Sequence, residues 1–73
     1  MAMKSGDGIY KIVEVIGTSS KSWEDAAASA VATAAKTLRD LRIAEVTKLD
    51  MKVESGKVVA YRARVSLSFK YEA

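Results

Sequence analysis

The 73-residue chain carries a formal net charge of +3, is 49% hydrophobic, and contains no cysteine, histidine or proline. Its length allows one small domain that buries only about 60% of its unfolded surface. Neither a disulfide framework nor a Cys/His zinc centre can reinforce it, which leaves self-association as the available staple.

Residues 1–8 read as a flexible lead, because Ser5, Gly6, Asp7 and Gly8 are all turn formers. The lead has no apolar signal-peptide core, and no apolar run approaches the roughly 20 residues that span a bilayer. The expectation is a cytoplasmic protein, without membrane partners, whose single domain fills residues 9–73. Ile9 to Ile16 is the first strand. Ile9, Tyr10, Ile12, Val13, Val15 and Ile16 are mostly β-branched and fall on both faces, so cover is expected on both. Gly17-Thr18-Ser19-Ser20-Lys21 reads as the loop into a helix.

That helix, from Ser22 to Leu41, holds seven alanines and is the only one predicted. Trp23, Ala27, Ala30, Ala34, Leu38 and Leu41 share one face. Ser22 is the N-cap, with Asp25 at the capping-box position. Glu24 and Asp25 at the start, and Lys36, Arg39 and Arg42 near the end, complement the helix dipole. An alanine face has little volume, so its partner must approach closely. A sheet does this well, and Trp23 and Leu38 are the large anchors near the helix ends.

Ile43 to Glu54 is the second strand. From Val46 it alternates, Thr47, Leu49, Met51 and Val53 against a charged face of Lys48, Asp50, Lys52 and Glu54. Ser55-Gly56-Lys57 is a tight turn in which Gly56 supplies the positive φ. In the third strand, Val58 to Tyr71, residues Val59, Tyr61, Ala63, Val65, Leu67, Phe69 and Tyr71 point one way. Ala60, Arg62, Arg64, Ser66, Ser68 and Lys70 point the other. The fold class is therefore α+β with the order β-α-β-β. The last two strands make a long hairpin, a right-handed crossover brings in the first, and the sheet order is 1-3-2, antiparallel, with the helix on one face. The longest strand would span ~46 Å and the helix ~28 Å. One helix cannot cover this sheet. The uncovered strands and long free edges predict a homo-oligomer.

No nucleophile–base pair offers itself, and no carboxylate sits in a recognisable catalytic setting, so the chain does not read as an enzyme. Gly17-Thr18-Ser19-Ser20 precedes a helix N-terminus and could meet an anion, but a plain loop and cap accounts for it. Trp23 reads as a hydrophobic anchor rather than a stacking ring. Arg62, Arg64 and Lys70 share a strand face without interleaved aromatics. They read as a face paired with Asp50 and Glu54, and no nucleic-acid partner is expected. Glu24, Asp25, Asp50 and Glu54 are candidate oxygen ligands for a hard cation if symmetry gathers several copies.

A strand ending Val15-Ile16-Gly17-Thr18-Ser19, a helix opening Ser22-Trp23-Glu24-Asp25-Ala26-Ala27, and a hairpin ending Ser68-Phe69-Lys70-Tyr71-Glu72 together resemble the dodecins. The resemblance runs from Ile9 to Glu72. It implies a β-α-β-β subunit of a hollow homododecamer with cubic symmetry. Most such assemblies bind and sequester flavins (FMN or riboflavin) without catalysis. The family's flavin-stacking Trp follows the helix in a Leu-Asp-Trp-Phe-Glu-Val run. Here the run is Leu41-Arg42-Ile43-Ala44-Glu45-Val46, so Ile43 stands at the stacking position. The flavin-contacting Gln of the last strand aligns with Arg62. Trp23 cannot replace the lost ring, because it lies at the other end of the helix. The Ser-Trp-Glu helix start, the Ile43-Ala44 pair and Asp50-Met51 are most similar to the mycobacterial-type branch called calcium dodecin. The resemblance therefore implies cation storage, with calcium ahead of flavin as cofactor. Flavin sequestration is the alternative.

Overall fold

The computed structural model describes residues 8–71. Its elements are β1 (Ile9–Ser19), α1 (Trp23–Ala34), β2 (Leu41–Glu54) and β3 (Lys57–Tyr71). The strands form one antiparallel sheet in the order β1-β3-β2, as the alternation predicts. The lead expected over residues 1–8 lies, apart from Gly8, outside the described residues, as does Glu72.

β3 is central because its alternation makes one whole face apolar. On that face Ala63, Val65 and Leu67 are completely buried, against Ala26 and Ala30 of α1. Val15, Ala27, Val31, Ala34, Leu38 and Leu41 close around them. The contact is tight at Gly17, where a Cβ would sit 2.1 Å from the Ala26 carbonyl oxygen and 2.9 Å from the Ala30 Cβ. A glycine in the strand and alanines in the helix are what allow this approach. Ala26, rather than the expected Ala27, is the fully buried residue of the first turns.

Four boundaries differ from expectation, β2 starting two residues early at Leu41 and β3 one residue early at Lys57. Gly17-Thr18-Ser19 is not loop but strand, paired with Ala63, Arg62 and Tyr61. The connection to α1 is only Ser20-Lys21, followed by Ser22 as N-cap. The Ser22 hydroxyl accepts from the Asp25 backbone N–H at 3.0 Å, but Asp25 does not return the bond to Ser22; its carboxylate accepts from the Ser19 hydroxyl at 2.7 Å. An aspartate is one methylene too short for the reciprocal contact, and Ser19 offers a nearer donor.

The helix expected to reach Leu41 stops at Ala34. Beyond it the chain tightens: Lys36 N–H donates to Thr33 O at 3.2 Å and Thr37 N–H to Ala34 O at 3.0 Å. Thr37 Oγ1 donates to the same carbonyl at 3.3 Å. Asp40 then takes a left-handed conformation with φ 56°, and Leu41 pairs with Phe69. Sheet pairing thus takes the residues that periodicity assigns to a last helical turn. Lys36, Arg39 and Arg42 fall outside α1, so no basic residue lies in its final turn. Leu38 and Leu41 still pack on the core, from a turn and a strand rather than a helix face.

The β2–β3 hairpin closes on Ser55-Gly56, with φ of 51° and 74° and Glu54 opposite Lys57. Two positive φ angles in a two-residue connection match the right-handed twist of the strands. Register shifts leave Arg42 and Thr47 unpaired in β2, and Val59 in β3. At the middle one the Thr47 hydroxyl donates to the Arg64 carbonyl at 3.3 Å, and Val46 and Leu49 both come to the helix side of the sheet.

With α1 only 12 residues long, ~18 Å, the mismatch with the 15-residue β3, ~50 Å, exceeds the expected one. The molecule measures 57 × 24 × 15 Å. Much of the sheet is bare: Ile9 is 69% exposed, Ile12 65%, Ile43 60% and Val53 58%. The cover expected on both faces of β1 is not supplied by the chain itself.

Candidate functional site

The β2–β3 hairpin meets the start of α1 through Trp23. Its indole Nε1 donates to the Asp50 backbone carbonyl at 3.0 Å. Its ring meets Tyr61 edge-on, centroids 5.2 Å apart and planes at 70°. Both contacts are those of an anchor. The Asp50 side chain points to the other face of the sheet and takes Arg62 in a two-pronged ion pair, Nε to Oδ1 at 2.7 Å and Nη2 to Oδ2 at 2.8 Å. The Arg62 hydrogen bonds hold the Asp50 carboxyl below its ordinary range, and Asp50 raises Arg62 in turn.

The two positions that matter by resemblance do not meet within one chain. Ile43 lies opposite Ser68 and Arg62 opposite Asp50 and Thr18, all on the sheet face away from the helix. Six residues of β3 separate the two positions, ~20 Å at ~3.3 Å per residue. No aromatic ring stands beside Ile43 in its row; its in-register neighbours are Ser68 and, beyond it, Ile12.

Among the described residues, the ion pair from the expected basic face to Asp50 and Glu54 is the one that Arg62 makes with Asp50. Glu54 instead pairs with Lys52 along its own strand at 3.4 Å. Arg64 stands between Ile16 and Lys48, and Lys70 beside Tyr10.

The four candidate cation ligands are dispersed. Glu24 is in the exposed first turn of α1, Asp25 is held by Ser19, Asp50 by Arg62, and Glu54 lies beside the hairpin turn. Among the described residues no three carboxylates lie close enough to hold a metal ion. The register adds a pair that sequence reasoning missed. Glu14 and Glu45 flank Ser66 from opposite edges of the sheet. Their Cα atoms are therefore ~10 Å apart. Counting back from the Ser55-Gly56 turn brings Glu45 to Ser66, but the β1–β3 register that brings Glu14 there has no turn to count from.

The Gly17-to-Ser20 segment is consumed by structure. The Ser19 hydroxyl donates to Asp25 and accepts from the backbone N–H of Lys21 at 2.9 Å, so the expected plain cap is what forms. Alongside it an apolar groove of about 500 Å³ runs between β1 and α1, floored by Val13, Ile16, Ala30, Ala34 and Leu38. No helix among the described residues is long and apolar enough to cross a membrane.

The β-α-β-β order and sheet topology have clear counterparts in known proteins. The dodecin family model matches residues 9–72. Calcium dodecin of Mycobacterium tuberculosis is 45% identical over 62 residues, 85% of this chain and 87% of that protein. A dodecin of Thermus thermophilus is 36% identical over 64 residues, 88% and 93% of the two chains. The dodecin structure from Streptomyces coelicolor superposes with a TM-score of 0.83 at 35% identity, over 89% of this chain and 93% of that one. The crystal structure of the M. tuberculosis protein, described as a calcium-chelating antigen with a calcium-binding site, superposes with a TM-score of 0.79 at 45% identity, over 89% and 93%. A family match over almost the whole described chain, with relatives this similar over most of their own length, makes this chain a member of the dodecin family.

Proposed function

We propose that the chain is the subunit of a hollow homododecamer that binds and stores small ligands without catalysis, with calcium preferred over flavin. The carrying observation is the pair of substitutions on the outer sheet face: an exposed Ile43 at the stacking position and an Arg62 already engaged by Asp50 at the amide position. Ile43 can cover an isoalloxazine ring but cannot add aromatic stacking, worth about 0.5–1.5 kcal/mol per pair. A guanidinium has only donors, so Arg62 cannot mimic the paired donor and acceptor of an amide. The similarity to a protein named calcium dodecin supports the cation reading.

Calcium takes six to eight oxygen ligands. One chain does not assemble them, so the ion would be held where copies meet. Asp50, Glu54, Glu24 and Asp25 are the candidates, joined by Glu14 and Glu45. Hard carboxylate oxygens suit this ion, and its charge would offset their mutual repulsion. The test is a pair of titrations on the purified oligomer, flavin fluorescence with FMN and calorimetry with calcium. Calcium heat with little flavin quenching is expected. Strong quenching without calcium heat would restore flavin sequestration as the function.

A further inference from the structure

β2 is an edge strand, with β3 as its one strand neighbour among the described residues. From Arg42 to Glu54 it is exposed throughout, with Leu49 52%, Met51 46% and Val53 58% open to water. Its outer side therefore presents a row of backbone N–H and C=O groups that another strand can join. The chain has no proline to block such pairing. From Lys48 to Glu54 the strand itself carries no extra residue, since the register shift beside Val53 leaves out Val59 of β3. Lys48 and Lys52 guard this edge, yet they alternate with Asp50 and Glu54 on the same face. The strand that suits the edge carries acids where β2 carries lysines, in reverse order.

We propose that the occupant is β2 of a second copy, joined antiparallel about a two-fold axis through Met51. This contact rests on the self-association argued above and gives it one specific interface. An axis perpendicular to the sheet keeps the faces of both copies in line. On the outer face it sets Lys48 against Glu54 of the partner subunit and Asp50 against the partner's Lys52, each contact being made twice. On the helix side Leu49 meets the partner's Val53, and Met51 meets the partner's Met51. Neighbouring axes do worse. Centring on Asp50 sets Lys48 against the partner's Lys52, and centring on Lys52 sets Asp50 against the partner's Glu54. Centring on Leu49 or Val53 keeps a single kind of opposite-charge contact. Asp50 and Glu54 then face lysines, which leaves Glu24, Asp25, Glu14 and Glu45 as the calcium candidates.

The experiment is oxidative cross-linking of full-length single-cysteine variants, since the chain has no cysteine of its own. Opposed residues of an antiparallel pair have Cα atoms ~4.5–5.5 Å apart, within disulfide reach. Met51→Cys is expected to link into dimers on its own. Leu49→Cys and Val53→Cys should not, because each lies four residues, ~13 Å, from its own copy. Mixed and reassembled, those two should link to each other. In the Met51→Cys background, Lys48→Glu or Glu54→Lys should slow linking about tenfold by opposing like charges, and the two together should restore it. Thermal melts verify that all variants fold. Leu49→Cys linking as fast as Met51→Cys overturns the register, and so does a double charge swap that fails to rescue. Light scattering on the unmodified chain separates the two readings. A dodecamer mass with Met51→Cys left unlinked overturns the edge pairing alone, whereas a monomer mass overturns the assembly as well.

Discussion

Single atoms decide how close the helix lies to the sheet. Gly17→Ala would drive a methyl group into the Ala26 carbonyl, a backbone atom that cannot move without the helix. The expected cost is about 3 kcal/mol, the upper part of the range for overpacking, read as a melting-temperature drop of ~12 °C or more. Gly56→Ala has open space around it but a φ of +74°, so only the left-handed backbone penalises it, by about 1 kcal/mol. Comparing the two melts separates crowding from backbone strain. Trp23 is partly buried, so Trp23→Ala should cost about 2–3 kcal/mol, the sum of a ring contact, one hydrogen bond and partial burial. That is less than a fully buried ring would lose, and a melt of Trp23→Ala beside Trp23→Phe checks it. At this scale the cap at Ser22 and the turn at Gly56 were legible from residue type alone. The use of Asp25 was not, because its donor, Ser19, became available only once Gly17-Thr18-Ser19 joined the strand.

Among the elements, the β2–β3 hairpin was the most legible, because alternation and a two-residue turn set its pairing locally, apart from the register shifts at Arg42, Thr47 and Val59. The helix C-terminus was the least. Alanines and leucines at steps of three and four continue past Ala34, and nothing local announces that Leu41 will pair with Phe69. The hairpin also carries an acid-sensitive pair. Asp50 is depressed in the folded chain relative to its ordinary 3.8, chiefly by the Arg62 hydrogen bonds. A depressed carboxylate stabilises the fold above its unfolded pKa, and that contribution is lost as pH falls through the lower folded value. The melting-temperature gap between the native chain and Asp50→Asn should therefore stay constant above pH ~5 and close in the acid range below 3.8. Both groups are at the surface, so salt should narrow the same gap at neutral pH.

The whole molecule is a thin sheet with a short lid. Among the described residues its buried core is two alanines of the helix and Ala63, Val65 and Leu67 of the central strand. So small a core, beside isoleucines left mostly in water, makes self-association the source of missing stability. Light scattering should give ~95 kDa, twelve times the 7.9 kDa chain. A stable monomer or dimer at micromolar concentration would contradict it. Ile12→Lys places a charge in the bare outer row shared with Ser68 and Ile43. It is expected to lower the mass while the far-ultraviolet spectrum of the surviving chains stays mixed helix and strand. The sequence announced this need through the mismatch of strand and helix lengths. It did not show which rows would be left bare, because the register shifts at Arg42, Thr47 and Val59 decide that.

The pairing of Ile9 with Tyr71 has a consequence for the order of events in synthesis. Contacts between residues so distant in the chain are slow to form, since the loop between them must close first. β2 and β3 can meet across their two-residue turn as soon as both exist. β1, the first strand to leave the ribosome, has its partner in the last strand made. It must wait in the open, with its backbone N–H and C=O groups without strand partners, until translation has passed Tyr71.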